Sequence, residues 1–222
     1  MTDPVLRAQA EYYRRRAEEY DATAYGDLSA ARERIARVLR RMQPTGSVLE
    51  IACGTGLWTE ALAGVADSVL AIDVAPEALS IARGRVRSAN VVLESADIFS
   101  WTSDRRFDVI FFSAWLSHVP RSHFERFWGS LGRLLADEGR VLFVDEHVSS
   151  PGQGRDKETY LSPAGEIVER RLTDGSTHHI VKNFVDPEVL PGRLRELGWD
   201  CEIRLDGDDW VWVCGEARPA MR

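Results

Sequence analysis

The apolar positions of this chain follow a helical rhythm at first, then alternate between strand and helix. Tyr12, Tyr13, Ala17 and Tyr20 recur at near-helical spacing with Arg and Glu between them, which predicts a helix over residues 5–24. Ile35, Val38, Leu39 and Met42 line one face of a second helix over 29–42, with Ser29 as its expected cap. Short apolar runs at 47–52, 68–73, 91–95, 107–113 and 140–146 read as strands. Helical stretches at 57–64, 76–88 and 123–135 lie among them. Strands spaced by such helices imply a parallel, doubly wound α/β sheet.

The rhythm changes after Glu146. Residues 149–154 read as a loop, and 167–172 and 177–184 flank a turn containing Asp174-Gly175, a hairpin signal. A helix is expected from Asp186 to Leu197, with Gly198 as its stop. Two closing strands, 201–206 and 210–216, are joined too closely for a parallel crossover and must pair antiparallel. The reading is one domain over 1–222. Residues 1–43 form an N-terminal helical cap, 44–148 a cofactor-binding core, 149–185 a lid or hairpin insertion, and 186–222 a closing helix and hairpin.

Bulk properties narrow the partners. A net charge of −7 and a pI near 5.3 argue against nucleic acid, whose binding leans on Lys and Arg contacts to phosphates. Cys53, Cys201 and Cys214 form no C-x-x-C pair, so no metal is expected and a reducing cytoplasm fits. The start, Met1-Thr2-Asp3-Pro4, lacks the basic segment and apolar core of a signal peptide. The longest apolar stretch, 109–119, is too short to span a bilayer. Composition leaves the oligomeric state open.

Candidate chemistry gathers at the strand ends. Val48-Leu49-Glu50-Ile51-Ala52-Cys53-Gly54-Thr55-Gly56 is a buried strand breaking into a tight glycine turn, the kind of place where backbone approaches a ligand. Asp73 ends the next strand and suits a ribose diol, since a carboxylate accepts two hydroxyl hydrogen bonds. Asp97 follows the third strand, where an acid can accept from an adenine amino group. A nicotinamide dinucleotide is the competing cofactor, and an oxidoreductase the competing function. Its fingerprint is G-x-G-x-x-G, but Thr59 stands where the third glycine belongs. Glu50 before the turn is a poor neighbour for a pyrophosphate and a good one for an ammonium and a sulfonium.

Leu49-Glu50-Ile51-Ala52-Cys53-Gly54-Thr55-Gly56, Ala71-Ile72-Asp73, Ser95-Ala96-Asp97 and Phe107-Asp108-Val109-Ile110 resemble the successive motifs of class I S-adenosylmethionine-dependent methyltransferases. The resemblance covers about residues 40–146. Ala52 departs from it, standing where the family more often has glycine. The resemblance implies a Rossmann-like, mostly parallel seven-stranded sheet with an antiparallel C-terminal strand. It also implies methyl transfer from S-adenosylmethionine (SAM) to an O, N, S or C atom of a small acceptor, leaving S-adenosylhomocysteine (SAH).

By that resemblance Glu50 and the backbone of Ala52, Gly54 and Gly56 surround the methionine part of the cofactor. Asp73 holds the ribose, Val74 packs on the adenine, and Asp97 and Ile98 bound its other side. Ser113, Ala114 and His118 face the sulfonium and the acceptor. Tyr13 and Tyr20 close the pocket from the N-terminal helix, while Tyr12 is expected to pack that helix on the body. Trp58 is expected at the sheet rim beside the cofactor. In-line displacement needs a base only if the acceptor carries a proton. His118 and His147 are the candidates, His147 being preferred over Asp145 and Glu146. A protein that binds SAM without methylating is a further alternative.

Overall fold

A computed structural model describes residues 3–147, 165–207 and 211–220. Helix α1 (Pro4–Ala24) starts with Asp3 accepting from the Val5 N–H at 2.8 Å, and α2 (Leu28–Met42) follows. Asp27, not Ser29, caps α2, accepting from the Ser29 and Ala30 N–H groups. A carboxylate two residues earlier bridges both free donors.

The core alternates as expected: β1 (Ser47–Ile51), α3 (Leu57–Leu62), β2 (Ser68–Asp73), α4 (Pro76–Arg85), β3 (Val91–Ser95), β4 (Phe107–Ser113), α5 (Phe124–Leu134) and β5 (Leu135–Glu146). Strand β5 begins five residues earlier than its apolar run at 140–146, through an irregularity where its pairing with β4 shifts register. A hairpin, β6 (Ile167–Arg171) and β7 (Thr177–Val181), forms its own two-stranded sheet. Then come α6 (Leu190–Glu196), β8 (Trp199–Asp206) and β9 (Trp212–Pro219). Helix α6 starts later than expected, because the Asp186 carboxylate takes the Glu188 and Val189 N–H groups into a turn first. The loop expected at 149–154 and the first residue of the expected last strand, Trp210, lie outside the described residues.

The large sheet runs β3-β2-β1-β4-β5-β9-β8, and only β9 opposes the others. Side chains alternate across its faces. Leu49, Ile51, Ile110, Phe112 and Phe143 pack beneath α5 and α6 with Trp128, Leu131 and Leu194. Val48, Val69, Ala71, Val109 and Phe111 pack on the other face with Ile35, Leu57 and Leu79 from α2, α3 and α4. In register with that second set are Glu50, Asp73 and Ser113, so three polar residues reach the upper edge on one face. In β9, Gly215 leaves room for the Phe143 ring, which a Cβ would overlap.

Candidate active site

Strand order reverses between β1 and β4, the switch point where open α/β sheets hold ligands beyond their carboxyl ends. A pocket lies there. Ile51, Ala52, Gly54 and Thr55 form its floor. Asp73, Val74, Asp97 and Ile98 form one wall, and Ser113, Ala114, Trp115 and His118 the other. Helix α1 roofs it with Gln9, Tyr13 and Tyr20.

The floor is a chain reversal. Ala52 (φ 56°), Gly54 (φ 55°) and Gly56 (φ 81°) all adopt left-handed backbone. For Ala52 that conformation costs about 1–2 kcal/mol, which explains why glycine suits the position. Asp73 fixes the reversal from the side. Its Oδ2 accepts from the Gly54 N–H at 2.8 Å and its Oδ1 from the Ala75 N–H at 2.8 Å. Each oxygen keeps a lone pair. Burial raises the Asp73 acid above its ordinary value against these bonds. Asp97 orders its own turn by accepting from the Phe99 N–H at 3.0 Å.

Glu50 sits behind the floor, buried, with Oε2 lacking a hydrogen-bond partner. Burial raises its carboxyl to about 8, with the nearby Asp73 charge adding to the shift. Gly56 and Trp58 also lie outside the lining. Gly56 begins α3 against α4, where a Cβ would come within 2.9 Å of the Ala82 Cβ. Trp58 packs on Phe111 and Trp212 at 5.2 and 5.4 Å between centroids. It lines a smaller neighbouring cavity with Tyr20, Tyr25 and Glu146, and that cavity shares Ser113 and Ala114 with the main pocket.

On the second wall, His118 is buried. Its Nδ1 meets the Val181 carbonyl at 2.6 Å and its Nε2 meets the Tyr13 hydroxyl at 3.0 Å. Burial holds the imidazole well below its ordinary range, and the charges of Lys182, Arg170 and Arg16 push the same way. His147 is not brought here. It lines neither of these cavities, and its N–H donates to the Val211 carbonyl at 3.1 Å as the chain leaves the rim beside β9. Its neighbours take up the work at the strand end. Asp145 Oδ2 accepts from the Ser117 N–H at 2.9 Å, bracing the His118 turn, and Glu146 pairs with Lys182 at 2.7 Å.

Several residues here escaped the sequence reading. Gln9 is buried; its Nε2 donates to the His118 carbonyl and its Oε1 accepts from the Val181 N–H, both at 3.0 Å. At the far end of α1, Asp21 accepts from the Thr55 hydroxyl at 2.6 Å and pairs with Arg85. Arg85 also donates to the Thr55 carbonyl at 2.7 Å. Helix α1 is therefore tied down at both ends. In the hairpin, β7 backs α1 and His118 through Val181, and none of its residues lines the pocket. Tyr12 packs with Val168, Leu172 and Ile180 of the hairpin rather than on the large sheet. Among the described residues no three His, Cys, Asp or Glu gather to hold a metal, and no helix is long and apolar enough to cross a membrane.

Comparison with known proteins agrees with this geometry. Residues 48–139 match the model of a methyltransferase domain. The ubiquinone biosynthesis O-methyltransferase of Thiobacillus denitrificans is 30% identical over 159 residues, spanning 70% of this chain and 65% of that protein. The enzyme of the same name from Xanthomonas axonopodis is 29% identical over 174 residues, spanning 76% of this chain and 69% of that one. The solved DhpI–SAH complex is 37% identical, with each chain covered in full and a TM-score of 0.82. A DhpI–SAM–HEP complex matches at 37% and a TM-score of 0.83, covering 99% of this chain and all of that one. The cofactor of this fold and of these relatives is SAM, and the chain belongs to the class I SAM-dependent methyltransferases.

Proposed function

We propose that this protein transfers the methyl group of SAM to a hydroxyl oxygen of a small anionic acceptor, with His118 as the proton acceptor. The cofactor supplies a methyl already activated by its sulfonium, so the chain has to hold two atoms in line. That effect reaches about 7–11 kcal/mol in favourable model systems.

The cofactor half follows from the residues present. Glu50 carries an unpartnered buried oxygen beside the glycine turn, which suits the ammonium end of SAM. The free lone pairs of Asp73 suit the ribose hydroxyls. Val74 and Ile98 offer apolar surface to the adenine, and Asp97 a polar edge. Ala52 and Gly54 present backbone to the methionine part. Tyr13 and Tyr20 cover the site, and Ser113 lies nearest the switch point.

The acceptor class rests on one observation, the convergence of Arg16, Arg170 and Lys182 on the neighbourhood of His118. Among these, Lys182 is offset by Glu146, and Arg16 lies over the Tyr20 ring at 4.8 Å. The charges that act on His118 are all positive, which favours an anion. Oxygen as the methylated atom draws support from the two O-methyltransferases among the relatives. The DhpI complex with HEP makes HEP the first acceptor to try. Transfer of labelled methyl from SAM, measured over matched anionic and neutral hydroxy compounds with HEP included, tests the reading. It expects the anionic members to be methylated at oxygen. Methylation of neutral members only, or transfer to nitrogen, would overturn it.

A further inference from the structure

The surroundings of His118 specify more than a base. A carbonyl oxygen only accepts, so the 2.6 Å contact from Val181 requires the hydrogen on Nδ1. In the neutral ring Nε2 is then a bare lone pair, and its partner at 3.0 Å is the Tyr13 hydroxyl. Tyr13 therefore gives its single proton to His118. Its two oxygen lone pairs remain, and Tyr13 lines the pocket. Nε2 is already occupied, so an acceptor hydroxyl entering the pocket meets the Tyr13 oxygen before it meets the imidazole.

We infer that Tyr13 is a catalytic residue that relays the acceptor's proton to His118, and that Gln9 is the positioning residue that fixes the His118 tautomer. This rests on the reading of the acceptor as a hydroxyl. As the acceptor oxygen bonds to the methyl carbon, the methyl–sulfur bond breaks and leaves SAH; the acceptor's O–H bond breaks and that proton joins the Tyr13 oxygen. The Tyr13 proton passes to Nε2. The positive charge that began on sulfur ends on the imidazolium, whose Nδ1–H still bonds the Val181 carbonyl. Tyr13 begins and ends neutral. Burial first, and Tyr20 next, raise its phenol well above the ordinary value, as a relay that never rests as phenolate requires.

Gln9 acts through the backbone of Val181 and of His118. Its Oε1 holds the Val181 N–H and its Nε2 holds the His118 carbonyl, each at 3.0 Å. Val181, whose carbonyl oxygen reads Nδ1–H, is thereby held at its own N–H, and the backbone that carries the ring is held at the His118 carbonyl.

A double-mutant cycle tests the relay. Tyr13→Phe keeps the ring and removes the hydroxyl; His118→Gln removes the proton acceptor. Wild-type turnover of a hydroxy acceptor is measured first, so a failure of the acceptor reading appears there and not in the variants. Each single variant should lower kcat about 10²-fold, with SAH affinity changed less than about threefold, and the double variant should fall no further. Multiplicative losses in the double variant, or either single variant turning over at the wild-type rate, would overturn the relay. So would a rise in the SAH Kd of Tyr13→Phe that matches its loss in kcat. Nitrogen-15 spectra of the unliganded protein give a readout apart from turnover. His118 should show a protonated Nδ1 and a bare Nε2 at neutral pH, and Gln9→Leu should mix the tautomers. An Nε2–H tautomer in wild type, or no change on removing Gln9, would contradict the assignment.

Discussion

The two sides of the pocket are built by different means. The proposed cofactor side is made of chain reversals and backbone groups from β1, β2 and β3, with partners close along the strands. Asp73 reaches back to Gly54, and Asp97 only to Phe99. The acceptor side is made of side chains from distant segments. His118 bonds to Val181, Gln9 to both, and Lys182 to Glu146. The first side needs only a strand order and a few glycines and acids. The second needs α1, the turn after β4 and a separate hairpin to arrive at one point.

That difference can be broken from either side, and the largest effect falls on the cofactor turn. Gly56→Ala forces a Cβ into left-handed backbone and against Ala82. Strain of about 1–2 kcal/mol and overpacking of about 1–3 kcal/mol should add. At roughly 2–4 °C per kcal/mol for a chain of this size, the melting point should fall by about 4–20 °C. SAH affinity below that melting point should change little, because Gly56 serves packing. A stable variant with weakened SAH binding would place Gly56 at the ligand instead.

Glu50 comes next. Its folded value, about 8, lies above the ordinary 4.5, so between those values the folded state binds more protons than the unfolded one. Its contribution is complete below pH 4.5 and is lost as pH rises through 8. The free protein should therefore melt at a lower temperature at pH 9 than Glu50→Gln does, with the gap closing by pH 5. Pairing with the ammonium of SAH should expel the Glu50 proton. Calorimetry at pH 7 in two buffers of different ionisation enthalpy should then show close to one proton released, and none in Glu50→Gln. Equal heats in both buffers would remove Glu50 from the site.

Smaller effects test how α1 is held. Asp21→Ala removes the contacts to Thr55 and Arg85, which are partly exposed. It should cost about 1–2 kcal/mol, since partial exposure weakens such pairs, and should speed SAH release in a stopped-flow chase. Unchanged release would mean that α1 is not held by this contact. The smallest effect belongs to Ala52→Gly, which relieves the left-handed alanine but frees the unfolded chain. A net gain of up to about 1 kcal/mol is expected in thermal unfolding, and a loss would show that the methyl packs usefully.

The same contrast explains what the sequence revealed. Period-two and helical spacing exposed the core strands and helices, because one face of each is buried. The glycine turn, Asp73 and Asp97 were legible because their positions relative to strand ends carry the chemistry. Gln9 and Lys182 were not, since each is an ordinary polar residue until contacts 172 and 36 positions away give it a role. His147 shows the complementary limit. It stands just past β5, two residues beyond the buried Asp145, and its N–H donates to the Val211 carbonyl. Gly56 and Trp58 fell within a ligand-like run, yet three-dimensional packing claims both.

The most direct test of this division is a pair of SAH titrations, into Asp73→Ala and into His118→Gln, with kcat measured for the second. Losing a hydrogen bond to a charged group is worth about 1.5–3 kcal/mol, or roughly 10–150-fold in affinity. Asp73→Ala should weaken SAH binding by at least that much. His118→Gln should bind SAH within about threefold of wild type while losing about 10²-fold in kcat. If His118→Gln weakens SAH as much as Asp73→Ala does, or turns over normally, the division between a cofactor side and an acceptor side is wrong.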